Sequence, residues 1–208
     1  MKTILCYGDS NTWGYIPGTG ERFGREVRWC GVMREKLGGG YVVIEEGLNG
    51  RTTAHDDPQE AYRNGSDYLP PCLETHSPID LVIIMLGSND IKTRFGFQAE
   101  DIAGGMEKLL GIIKNSGAGP EGKTPRILLL SPPHVSPHTE LIDFIDRYEV
   151  SKRLGALYEQ LAGRYGCSFL DVSTVVGISD LPDGLHLNEK AHAALGSALA
   201  GIVKEILG

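Results

Sequence analysis

The chain has 208 residues, enough to bury a full core as one domain, 1–208, without disulfide or metal staples. Its net charge of -7, with no basic stripe to offset it, argues against nucleic acid or an anionic membrane as partner, and no apolar run reaches the length of a membrane span. The cysteines Cys6, Cys30, Cys72 and Cys167 show no Cys-x-x-Cys spacing, so free thiols are expected rather than a zinc site or a disulfide framework. The first strand begins at Lys2, which leaves no room for a signal peptide, and a cytoplasmic location is expected.

In chain order, short apolar runs fall at 4–7, 41–44, 81–86, 127–130 and, more weakly, 168–170. Each is too short for a helix, and consecutive Val, Ile and Leu read as strands buried on both faces. Amphipathic segments at 29–37, 99–114, 150–165 and 189–207 lie between or after them. This alternation predicts a central five-stranded parallel sheet with helices on both faces, a three-layer α/β/α architecture. Three stretches, 15–28, 52–77 and 131–147, are longer than the connections of such a fold. The first two follow strand ends and are candidate walls of a site at the carboxyl edge of the sheet. Surface decoration and subunit contacts are the alternatives.

Four small motifs sit at strand ends or before the last helix. The first apolar run breaks at Gly8-Asp9-Ser10, where a tight turn would put Ser10 at a helix start, among unpaired backbone N–H groups. The same residues also suit a plain turn with an N-cap. The second run leads to Asn49-Gly50, whose Gly50 N–H can face a site unobstructed or simply form a turn. The third ends in Gly87-Ser88-Asn89-Asp90, where Asn89 can present amide donors or cap a helical turn, and Asp90 is a candidate cap as well. Before the last helix comes Asp183-Gly184-Leu185-His186. There the carboxylate can hold one imidazole nitrogen while the other takes a proton, although a turn aspartate beside a partly buried histidine is the better reading of these residues alone.

The other histidines have weaker claims. Pro132, Pro133 and Pro137 exclude a regular helix presenting His134 and His138 together, and His55, His76 and His192 have no carboxylate in a suggestive sequence arrangement. No metal is expected. Asp9 reads as a hydrogen-bond hub for its turn.

Taken in order, Gly-Asp-Ser, the later Gly, Gly-x-Asn and Asp-x-x-His resemble the SGNH, or GDSL, hydrolase family, serine esterases with a flavodoxin-like α/β fold. The family letters fall on Ser10, Gly50, Asn89 and His186, with Asp183 completing a triad. The stretches Arg28-Trp29, 44–53, Asp56-Asp57-Pro58 and 83–90 are similar to its cytoplasmic arylesterase/acyltransferase subgroup. That resemblance implies hydrolysis of small esters, transfer of short acyl groups to alcohols and in some members to hydrogen peroxide, no cofactor, and homo-oligomers up to octamers. One departure is Asn11, where the family usually has Leu.

The resemblance implies Ser10 as nucleophile, His186 as general base and Asp183 as its orienting carboxylate. The oxyanion donors would be the Ser10 and Gly50 N–H groups and the Asn89 amide. Asn11, Trp13 and Asn49, beside the nucleophile or in the second-strand turn, are candidate substrate contacts, with Trp13 alternatively packed under a loop. Gly-x-Ser-x-Gly is absent, so the nucleophile elbow of α/β-hydrolases is not the template. A lipase-like esterase or a carbohydrate O-deacetylase is the rival within the enzymes. A flavodoxin-like small-molecule binding protein without catalysis is the rival from another class.

Overall fold

The computed structural model describes all residues from Met1 to Gly208. Five strands, β1 (Lys2–Gly8), β2 (Tyr41–Gly47), β3 (Leu81–Met85), β4 (Arg126–Ser131) and β5 (Ser168–Asp171), form one parallel sheet in the order β2-β1-β3-β4-β5. In register, Gly8 at the end of β1 lies between Gly47 of β2 and Met85 of β3. The carboxyl ends of the three strands thus meet at one edge. This is the predicted three-layer fold.

Strand alternation splits the interior into two cores. Ile4, Cys6, Ile83 and Leu128 face helices α2 (Trp29–Leu37) and α6 (Glu189–Leu207), which supply Trp29, Met33, Leu195 and Leu199. Leu5, Tyr7, Ile84 and Leu129 face α3 (Gly65–His76), α4 (Ala99–Asn115) and α5 (Tyr148–Tyr165), which supply Leu69, Leu109 and Leu154. Each large apolar side chain removed from water contributes about 1.5–3 kcal/mol, so the two faces share the work of holding the sheet. Burial on both sides is why β1, β3 and β4 read as unbroken apolar runs.

One expectation is corrected. The stretch 52–77 is not loop throughout, because α3 occupies its second half. Pro70 and Pro71 hide that helix in the sequence, since each removes a backbone donor. The helix survives because the Asn64 side chain accepts from Ser66 N–H at its start and Leu69, Cys72 and Leu73 are buried on its inner face. The helix that Ser10 opens, α1 (Ser10–Trp13), is a single turn. Its local N–H groups, not a macrodipole, are what it offers a negative charge.

Candidate active site

The site starts where β1 ends. A Cβ on Gly8 would lie 2.1 Å from Thr12 Oγ1 and 2.9 Å from the Met85 carbonyl, so only glycine lets α1 fold back onto the strand end. Asp9 caps the turn, its Oδ1 accepting the Asn11 N–H at 2.9 Å. Its Oδ2 is enclosed without a partner, and burial raises the Asp9 carboxyl above its ordinary value. The Asp9 carbonyl also accepts the Thr12 and Trp13 N–H groups, so Asp9 is the hydrogen-bond hub of its turn. Ser10, 5% exposed, is the next residue.

Across the edge, the loop before α6 brings His186 to Ser10. His186 Nε2 lies 3.0 Å from Ser10 Oγ, and Nδ1 lies 2.6 Å from Asp183 Oδ2. The other carboxylate oxygen accepts the backbone N–H groups of Leu185 (3.0 Å) and His186 (2.8 Å). Burial raises the Asp183 carboxyl, but the imidazole and these two N–H donors outweigh it and hold it below the ordinary value. The stretch 131–147 supports this loop from behind: Thr139 Oγ1 donates to Asp183 O at 2.7 Å and Ser136 N to Gly184 O at 2.7 Å.

Further donors come from the ends of β2 and β3. Arg51 N donates to Leu48 O at 3.1 Å, closing a turn with Asn49 and Gly50 at its centre. Gly50 has φ 77°, the left-handed value that a type II turn demands at this position. The Gly50 N–H donates to no protein acceptor. Asn89, buried after β3, donates from Nδ2 to Arg51 O at 3.0 Å, which fixes its amide beside that turn. Arg51 Nη1 in turn donates to Gly8 O at 2.8 Å and to Glu46 O, tying the turn to the end of β1.

The candidate substrate contacts fare differently. Asn11 is buried and turned to the His186 loop, Nδ2 donating to Leu185 O (3.3 Å) and Oδ1 accepting from Leu187 N–H (3.0 Å). These bonds make it a support of the His186 loop rather than a wall of the pocket. Trp13 is half-buried with the Arg22 guanidinium over its ring at 5.0 Å. The aromatic ring that lies against His186 is instead Tyr15, at 4.4 Å between centroids. Sequence reasoning had singled out only the stretch beginning there. Asn49 Oδ1 is enclosed with no donor.

Two dismissed histidines do meet carboxylates. His55 Nδ1 lies 3.0 Å from Asp90 Oδ1, and His76 Nε2 lies 2.9 Å from Glu46 Oε1. Nor does Asp90 cap a helix. It accepts from Thr53 Oγ1 at 2.6 Å and from Thr53 N–H, pinning the stretch after the Gly50 turn. These pairs join residues 35 and 30 positions apart, beyond the reach of local spacing.

Cavity size alone points elsewhere. A cavity of about 690 Å³ is lined by Arg126, Ile127, Ser168 and Phe169 at the amino ends of β4 and β5, opposite the Ser10 edge. In open parallel sheets, chemistry belongs at the carboxyl edge. There, a cavity of about 470 Å³ is lined by Glu46, Leu48, Arg51 and Tyr68, and one of about 540 Å³ reaches Asp183 beside Ser136 and Leu181.

A flavodoxin-ordered parallel sheet with a serine, histidine and aspartate joined at its carboxyl edge defines a three-layer α/β protein with its candidate site at that edge. The profile of the GDSL-like lipase/acylhydrolase family matches residues 6–194, and the chain belongs to that family. It is a carboxylic ester hydrolase. Solved structures agree over the full length of both chains. An aryl esterase from M. smegmatis is 41% identical with a TM-score of 0.94, covering 100% of each chain. A carbohydrate acetylesterase from Sinorhizobium meliloti is 40% identical with a TM-score of 0.94, and a putative arylesterase from Agrobacterium tumefaciens is 44% identical with a TM-score of 0.91, both again at 100% coverage of each chain. The comparison with curated proteins gives no match. No helix is long and apolar enough to cross a membrane.

Proposed function

We propose that the chain is a serine esterase for small, short-acyl carboxylic esters, working through Ser10, His186 and Asp183 and a covalent acyl-enzyme. The observation that carries this reading is the unbroken line from Ser10 Oγ to His186 Nε2 (3.0 Å) and from Nδ1 to Asp183 Oδ2 (2.6 Å). His186 takes the Ser10 proton as the hydroxyl attacks the ester carbonyl, and Asp183 stabilises the imidazolium that forms. The Ser10 and Gly50 N–H groups and the Asn89 amide receive the oxyanion. Losing one such donor typically costs about 10²–10³ in rate. His186 then returns the proton to the leaving alkoxide or phenoxide. Water attacks the acyl-enzyme to release acid, or an alcohol attacks it to release a new ester.

Aryl esters are the first substrates to try, since two of the similar structures carry the name arylesterase. A sugar acetate is the second reading, favoured by the likeness to the Sinorhizobium meliloti acetylesterase. Acyl transfer to alcohols or to hydrogen peroxide, and a homo-oligomeric state, belong to the proposal through the resemblance of 44–53 and 83–90 to the acyltransferase subgroup.

The test is cleavage of p-nitrophenyl esters from acetyl to long-chain, with an acetylated sugar alongside, with and without excess alcohol, by wild type and Ser10→Ala. Activity that peaks at short acyl groups, vanishes in the variant and yields a new ester in alcohol is expected. A peak at long chains would transfer the assignment to a lipase-like esterase. Absence of Ser10-dependent turnover, together with no covalent labelling by an organophosphate, would leave a binding protein.

A further inference from the structure

A second cluster lies away from the Ser10 line, between the edge strand β2 and α3. Cys72 and His76 stand one helical turn apart on α3, and Glu46 comes from the end of β2. The Glu46 carboxylate, Cys72 Sγ and a His76 ring nitrogen all lie within 4.8 Å of one another. Cys72 is buried, while Glu46 and His76 are half-buried. A helical i, i+4 pair plus one strand residue is the spacing of a three-ligand metal centre, and thiolate, imidazole and carboxylate together suit a borderline-soft divalent ion.

We propose that Glu46, Cys72 and His76 bind one divalent cation of the zinc type, with the fourth position open to water. Around the ligands, Tyr68 Oη donates to Glu46 Oε2 at 3.3 Å, the outer contact that orients a ligating carboxylate. Burial and the Glu46 charge push the Cys72 thiol up, only partly offset by the Arg51 guanidinium, so the ion must displace a firmly held proton. Glu46 also lines the cavity of about 470 Å³, together with Tyr68. Binding forms a Sγ–metal bond and releases the thiol proton to solvent. Glu46 and His76 exchange their mutual hydrogen bond for bonds to the ion. The ion would tie β2, an edge strand with a neighbour on one side only, to the helix beneath it. The site therefore acts as a staple on the fold.

Cd²⁺ is the probe, because cadmium–thiolate charge transfer is visible in the near ultraviolet. Full-length protein stripped with chelator is titrated with Cd²⁺, then back-titrated with Zn²⁺, and its melting temperature is followed. One Cd²⁺ per chain, a charge-transfer band reversed by Zn²⁺ and a raised melting temperature are expected. Cys72→Ser should lose the band, His76→Ala and Glu46→Gln should bind at least about tenfold more weakly, and Cys167→Ala should behave as wild type. Circular dichroism confirms that each variant folds, and Cys72→Ala replaces Cys72→Ser if the latter does not. No band in wild type, or an undiminished band without the Cys72 thiol, would overturn the site, the latter moving the ion to Cys6, Cys30 or Cys167.

Discussion

The Asn11 side chain grips the backbone on both sides of His186, donating to Leu185 O and accepting from Leu187 N–H. The residue after Ser10 thereby fixes the loop that carries His186, which lies 176 positions from Ser10 in the chain. Asn11→Leu, which restores the family's usual residue, removes both bonds and leaves two buried backbone groups unpaired. A stability loss of about 1–3 kcal/mol is expected, with kcat falling more than KM rises because His186 loses its placement. Urea unfolding and steady-state kinetics on p-nitrophenyl acetate measure both. Wild-type kcat in the variant would show that His186 is held by Asp183 alone.

Asp183→Asn should keep the loop's shape but supply an amide where the imidazole needs an acceptor, favouring the wrong tautomer. A fall in kcat on the order of 10⁴ is expected. The variant also reports on acid stability. The Asp183 carboxyl is held below its ordinary value, so its stabilising contribution is present above the unfolded-state value and disappears as pH falls through the lowered folded-state value. Wild type should therefore lose stability more steeply than Asp183→Asn below about pH 4. Parallel acid profiles for the two proteins would contradict this.

The sheet and four of its helices were legible because the signals are local: unbroken apolar runs such as 81–86 and amphipathic windows such as 189–207. The residues of the Ser10–His186–Asp183 line were legible too, since turn glycines and polar residues at strand ends leave short fingerprints. What stayed hidden depends on distant pairings. Pro70 and Pro71 masked α3, whose helix is held by burial of Leu69 and Leu73. Asn11 looked like a pocket residue because the Leu185 and Leu187 backbone groups it serves come from the far end of the chain. Tyr15 lies only five residues past the nucleophile, yet nothing in its neighbourhood marks it as the ring beside His186.

His192 supplies a second pH dependence. It is fully buried in α6, Nδ1 accepting from Trp29 N–H at 3.3 Å and Nε2 without a partner. Burial, helped by the nearby Arg28 charge, lowers its pKa from 6.5 to about 4. The unfolded chain takes up this proton below about 6.5 while the folded chain refuses it until about 4, so stability declines across that window as pH falls. The loss amounts to roughly 3 kcal/mol. His192→Gln retains an acceptor for Trp29 without a titrating ring, and its unfolding free energy should fall by that much less between pH 7 and pH 4. Equal losses in both proteins would assign the decline to other groups.

Asp90 is the anchor of the stretch that follows the Gly50 turn. Its buried carboxylate takes the Thr53 N–H, the Thr53 hydroxyl and the His55 ring, while the adjoining Asn89 holds Arg51 O. Asp90→Asn replaces a charged acceptor with an amide whose N–H₂ faces donors. A stability loss of roughly 2–4 kcal/mol is expected. The Asn89 amide and the Gly50 N–H are positioned through these same contacts, so kcat should fall while KM changes little, as for an interaction made only in the transition state. Asn89→Ala, compared with the double variant, separates the two effects. If Asp90 acts through the oxyanion donors, removing it should cost far less kcat once the Asn89 amide is gone. Additive losses would reduce Asp90 to a purely structural support.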